Sequence, residues 1–454
     1  MNKYYLIFLI FLFISRDSIV IPNVLKTDFP SITKYLNQSP VPQKINSSSA
    51  SFKDEEFSRI ISDFENRIPL EFKIKPYFES NILFWFKIYS LYSSTELVIH
   101  DSQNLDLVYS VIDLSPLTQS HLSYFGRHNL IESITKDKIT EIKNSIEALA
   151  FKAPKSSIEK ALFNSLNNHF PTIPSSRAER IRFFKTRAQS VRGQTGQRDK
   201  ILQGTIFYEP FSEFIENLFS IAGEPIELRS IPFLESSFNI KAESKVGALG
   251  VWQFMPIIAN AFLPKIYPHL DYRLSPMITA VAAVHLLQQN KKILKSWDLA
   301  ITAYNSGTLH LLKASRKLQD VEKIDLETIL KSYKHPHLGF ASKNFYSEFI
   351  ALVYTLAYKD LIYKRSSLDT FPQLDIFISL CSFNVDKIDK SYPGFKNLNP
   401  QFRDQKKSYP RGSLVVFENN KLGKMFLKID RKKMIQVKPK DWIRFTKNYN
   451  CSTK

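Results

Sequence analysis

The chain has 454 residues, 44% of them hydrophobic and 13% aromatic, enough for two or three domains with cores of their own, and this excludes a disordered protein. The formal charge of +19 predicts affinity for something anionic, without saying whether that is nucleic acid, membrane or an acidic wall polymer.

In chain order, Met1-Asn2-Lys3 is a short positive start, and Tyr4 to Ile14 is an unbroken apolar run. Such a run is short for a membrane span and suits the core of a secretory signal. Residues 1–18 are therefore expected to be a signal peptide or an N-terminal anchor. Ser15-Arg16-Asp17-Ser18 is not a small-x-small cleavage site, so cleavage and an uncleaved anchor both stand open. Export directs the chain to the periplasm or cell envelope and away from nucleic acid. Residues 19–55 are rich in Ser, Pro, Asn and Lys without periodicity, the texture of a flexible tether.

Residues 56–200 are expected to form an α+β region. "TELVIHDSQNLDLVYSVIDL" (Thr95 to Leu114) reads as two strands joined by a polar turn, in which His100-Asp101 serves turn formation. Ile139, Ile142, Ile146, Leu149 and Leu162 recur at helical spacing. The basic run from Arg177 to Lys200 is read as a solvated helix face and connector.

From Phe207 to about Tyr363 the apolar spacing is helical throughout. Ser275-Pro276 has the form of a helix start, with serine as cap and proline in the first turn. Ser296-Trp297 opens another helix, which Gly307 is placed to end. Residues 201–365 are thus a compact helical domain. Residues 366–454 form a basic C-terminal region in which Ser413 to Ile429 reads as a β-hairpin. From Gln401 onward there are 15 Lys/Arg against 4 Asp/Glu, so this tail carries +11 of the total. It is expected to touch anionic envelope polymers or membrane by charge and to be dispensable for catalysis. Cys381 and Cys451 are read as free thiols, with their one possible pairing as the alternative. No C-x-x-C is present, and neither metal nor cofactor is expected.

The chemistry concentrates in "PFLESSFNIKAESKVGALGVWQFMP" (Pro232 to Pro256). One carboxyl, Glu235, is framed by Phe233, Leu234 and Phe238, surroundings that raise a carboxyl's pKa and suit a general acid. Gly247 and Gly250 clear side chains where a sugar chain would lie. Most glycosidases use two carboxylates. The second acid of the segment, Glu243, looks solvent-facing in "KAESK". A single carboxyl suffices if a hydroxyl of the substrate itself attacks the anomeric carbon, with an effective molarity on the order of 10⁵ M. Read alone, the segment fits that acid or a structural, hydrogen-bonding glutamate.

The segment resembles the catalytic core of the lytic transglycosylases, glycoside hydrolase family 23, of the membrane-bound murein transglycosylase D type. "ESSF" at Glu235, "SKVGALGVWQFMP" at Ser244, "DYRLSPMITAVAA" at Asp271, "AYNSG" at Ala303 and "GFASKNFYSEFIAL" at Gly339 follow the family's motifs in order. The resemblance implies a mainly α, lysozyme-like fold and cleavage of peptidoglycan glycan strands between N-acetylmuramic acid and N-acetylglucosamine. It assigns Glu235 as the sole acid/base and Ser244, Gln253, Met255, Tyr304 and Asn305 to the sugar-binding wall. Trp252 is read as core. Two departures stand out: no LysM glycan-binding repeat is legible after Pro372, and Tyr272 occupies a place where an acidic residue is common. The competing readings are a lysozyme that admits water and a non-catalytic wall-binding protein on the same fold.

Overall fold

The structure, a computed structural model, describes residues 54–118, 124–265, 267–318, 324–333, 338–364, 371–418 and 423–451. The expected signal and nearly all of the expected tether lie outside these residues. The protein is mainly α. Its described residues divide into two compact units, one drawn from Ser15–Lys200 and Tyr354–Lys364, the other from Ile201–Val353 and Arg365–Lys454.

The first unit begins with α1 (Asp54–Ile61) and α2 (Glu79–Ser90). Strands β1 (Glu96–Asp101) and β2 (Val108–Asp113) pair antiparallel, as the sequence suggests. Asp101 closes the turn by accepting from the Gln103 and Asn104 amides, the role expected of it. The helical spacing after Lys136 resolves into α3 (Tyr124–Ala148) and α4 (Ser157–His169). A capping box of Ser156 and Glu159 starts α4.

The basic run gives the expected helix, with Arg177, Arg182 and Lys185 on its solvated face, but it is not a connector. It forms α5 (Arg177–Ser190) and β3 (Val191–Thr195), and β3 adds a third strand on the far edge of β1. Arg187 is buried, 3.2 Å from the buried carboxylate of Asp101 and 2.6 Å from Gln103 Oε1. A charge that finds a desolvated partner is drawn inside, which composition alone does not reveal. Leu97, Ile99, Ile142, Ile146, Leu149, Leu162 and Phe184 belong to one core over this sheet.

The second unit contains α6 (Arg198–Ala222), the short α7 (Ile231–Ser236), α8 (Pro256–Phe262), α9 (Pro276–Leu294), α10 (Trp297–Ser306), α11 (Thr308–Lys317), α12 (Leu326–Ser332) and α13 (Phe340–Ala357). Ser275 caps α9 through the Ile278 amide, with Pro276 in its first turn, and Gly307, at φ 84°, ends α10. The first half of α9 is buried all round. Its Ala280, Ala282 and Ala283 allow the close approach of neighbours that long side chains would prevent.

The C-terminal region departs from expectation in three ways. Ser413 to Ile429 is not a hairpin: β5 (Leu414–Glu418) and β6 (Phe426–Lys428) pair on opposite edges of β4 (Leu374–Ser379). The fully buried β4 is the partner that each strand's apolar face requires, and it lies some forty residues earlier in the chain. Cys381 and Cys451 form a disulfide, with Cα atoms 5.0 Å apart, and are not free thiols. Finally, the region does not stand apart from the helical bundle. Buried Asp375 on β4 binds Lys428 at 2.7 Å and Arg431 at 3.1 Å, and Arg431 also reaches Glu213 and Asn217 on α6. The His285 ring on α9 bonds the Met434 carbonyl, 3.0 Å away. Part of the tail's positive charge is therefore consumed inside the fold.

Candidate active site

Glu235 sits in the last turn of α7. That helix stops because Ser237 and Phe238 take left-handed backbone conformations, φ 50° and 56°. Such conformations cost non-glycine residues energy, and aromatic packing offsets the cost here. The buried Phe238 ring meets Tyr208 at 5.1 Å and Phe233 at 5.5 Å. Beneath them Gly204 of α6 is indispensable, since a Cβ there would fall 2.3 Å from the Ser237 carbonyl oxygen. Ser236, next to the carboxyl, donates to the carbonyls of Pro232 and Val251, tying α7 to the loop that follows.

That loop runs from Ser244 to Met255. Ser244 Oγ accepts the Ala248 amide at 2.8 Å, and the Ser244 amide donates to the Ala248 carbonyl at 2.9 Å. Gly250 has φ 75°, and a Cβ there would lie 1.9 Å from the Arg273 carbonyl oxygen, so only glycine fits. Gln253 is buried, and its Nε2 donates to the carbonyls of Ala242 and Gly250. Its amide thus serves the loop's own backbone. Trp252 is fully buried with its indole N–H on the Pro276 carbonyl, the core role read for it. Met255 is half-buried and stands at the N-cap position of α8, with no side-chain capping bond. Glu243 is exposed.

The Tyr304 hydroxyl on α10 donates to the Trp252 carbonyl at 2.7 Å, and its ring lies 6.2 Å from that of Phe254. Asn305 Oδ1 accepts from Ser342 Oγ of α13 at 2.9 Å. Loop, α10 and α13 are thereby joined by side-chain bonds.

Burial pushes the Glu235 carboxyl up to about 8, and the neighbouring Glu348 carboxylate adds to the rise. Burial likewise holds the Tyr304 phenol well above its ordinary value, with a smaller contribution from Glu235. The structure thus brings Glu235 and the glycine loop, from one segment, together with Tyr304 from a second, distant stretch of sequence. It also brings in Glu348 from α13, which sequence reasoning passes over because nothing marks it in "NFYSEF". Gly204, Ser236 and Arg273 are missed as well. Of these Ser236 and Arg273 carried a signal, their places in "ESSF" and "DYR".

Residues 215–326 match the transglycosylase SLT domain family, the class to which this loop and its glutamate point. Among individual relatives, membrane-bound lytic murein transglycosylase D of Escherichia coli (strain K12) is 32% identical over 111 residues, 24% of this chain and 25% of that protein. A proposed tributyltin chloride resistance protein of Alteromonas sp. (strain M-1) is 33% identical over 113 residues, 25% of this chain and 55% of that protein. The chain therefore spans about a quarter of the first relative's length and about half of the second's. Among the described residues no helix is long and apolar enough to cross a membrane.

Proposed function

We propose that the protein is an exported peptidoglycan lytic transglycosylase with Glu235 as its single acid/base. One observation carries the reading. The only glutamate of the loop segment that is not exposed has its carboxyl pushed up to about 8, within the stretch that matches the SLT family. A carboxyl in that state holds its proton at neutral pH and can give it to a leaving glycosidic oxygen.

Glu235 protonates the oxygen between N-acetylmuramic acid and N-acetylglucosamine, and the C1–O bond breaks. The muramic C6 hydroxyl attacks C1, and its proton passes to the Glu235 carboxylate, which restores the acid. The products are a free 4-hydroxyl and a 1,6-anhydro end, with no water consumed. Tyr304, Ser244, Met255 and Asn305 form the wall on which the sugar is held, and Gln253 keeps the loop's shape. Mass spectrometry of purified sacculi after digestion tests this. Anhydro products, lighter by one water than hydrolytic ones, are expected; products carrying that water would establish a lysozyme, and no product a binding protein. The parts of the +11 tail not engaged within the fold would add electrostatic contact with anionic envelope polymers. That contact predicts sedimentation with sacculi that weakens as salt rises, because exposed charges are screened within about 8 Å at physiological ionic strength.

A further inference from the structure

The glycine loop is held at both ends by one side chain. Arg273 Nη1 lies 2.7 Å from the Gly247 carbonyl and 3.1 Å from the Phe254 carbonyl. Arg273 is 8% exposed, and its fork is fixed by Asp271, which is 2% exposed, through bonds of 3.0, 3.2 and 2.7 Å. A planar fork locked by a carboxylate spans two acceptors with little further loss of freedom, which an ammonium cannot do.

The segment that carries this clamp is itself held by the C-terminal region. The Asp271 amide donates to the Gln401 carbonyl at 3.0 Å, and the Arg403 amide donates to the His269 carbonyl at 2.9 Å, an antiparallel bridge. The Tyr409 hydroxyl donates to the same His269 carbonyl at 3.0 Å. The Leu414 amide, at the start of β5, donates to the Tyr272 hydroxyl at 3.1 Å. Residues 269–272 therefore have one edge on the tail, and Arg273, next in the chain, faces the loop.

We propose that residues 401–414 are a built-in brace of the active-site loop, acting through Asp271 and the positioning residue Arg273, so that the basic C-terminal region is part of the catalytic machinery rather than a detachable adhesion module. Tyr272, where the resemblance leads one to expect an acid, is what joins the clamp segment to β5. This inference rests on the proposed function for its kinetic consequences, though not for its structural ones.

The test uses the full chain and two variants, Arg273→Lys and Tyr409→Phe. Tyr409 is far from Glu235 in sequence, and the phenylalanine keeps its ring. Amide hydrogen exchange at Gly247, Leu249, Gly250 and Gln253 is read beside exchange of the α9 amides. Arg273→Lys is expected to speed loop exchange by roughly 10- to 100-fold, the factor for losing one charge-assisted hydrogen bond, with α9 unchanged. Tyr409→Phe should speed it by a few-fold. In digestion of sacculi the alkaline limb of the kcat/KM profile should move to lower pH in both variants, because a loosened loop admits water to Glu235. Unchanged loop exchange in Arg273→Lys overturns the brace, and so does a rise shared equally by loop and α9. A parent enzyme inert on sacculi sinks the proposed activity and leaves the exchange result to decide the brace; an active parent whose variants keep the parental pH limb overturns the brace alone.

Discussion

Replacing Glu235 by glutamine keeps the side chain's shape and removes its titration, and two separable effects are expected. The first is thermodynamic. In the folded protein the carboxyl titrates at about 8, against an ordinary 4.5. Below the ordinary value both folded and unfolded chains hold the proton, and the parent pays nothing for burying the group. Between the two values the unfolded chain ionises while the folded one does not, so stability falls as pH rises; above the folded value both are ionised and the loss is complete. At about 1.4 kcal/mol per pH unit, the gap comes to roughly 5 kcal/mol of stability present in acid and absent in alkali. Glu235→Gln lacks this dependence. Guanidinium unfolding of parent and variant from about pH 5 to about pH 9 should show the variant gaining steadily on the parent and then levelling. The second effect is kinetic: digestion of sacculi should fall by roughly 10²- to 10⁴-fold, the usual contribution of a general acid. A stability difference that stays flat with pH would refute the reasoning, since an ordinary carboxyl could not hold the proton that the mechanism needs.

Glu348→Gln removes the like charge that adds to the rise at Glu235, while burial, the larger cause, remains. The alkaline limb of the kcat/KM profile should shift modestly to lower pH with activity retained, and an unmoved limb would show that the two carboxyls do not interact. Serine at both Cys381 and Cys451 opens a covalent link across 70 residues. The chain-entropy argument puts the loss at roughly 4 kcal/mol, to be read from guanidinium unfolding under non-reducing conditions. A loss far below that would mean that the tail's packing alone fixes its course.

Local pattern determined much about this protein. The caps at Ser275 and Gly307, the two strands around His100 and the run of helices after Phe207 were legible because capping, alternation and 3.6-residue spacing act between near neighbours in the chain. The motif around Glu235 was legible for the same reason, since its glycines and aromatics lie within one short segment. What the tertiary structure decided was every pairing between distant residues. β3 and β5 needed partners whose identity no local pattern encodes. Nothing near Arg187 or Arg431 in the sequence sets them apart from surface charge; the buried Asp101 and Asp375 that hold them lie far away in the chain. Cys381 met Cys451, Glu348 entered the field of Glu235, and the tail closed over residues 269–272. The physical reason is common to all of them. The free energy of a buried charge, a strand edge or a disulfide depends on what lies across the gap, and only the folded chain specifies that neighbour.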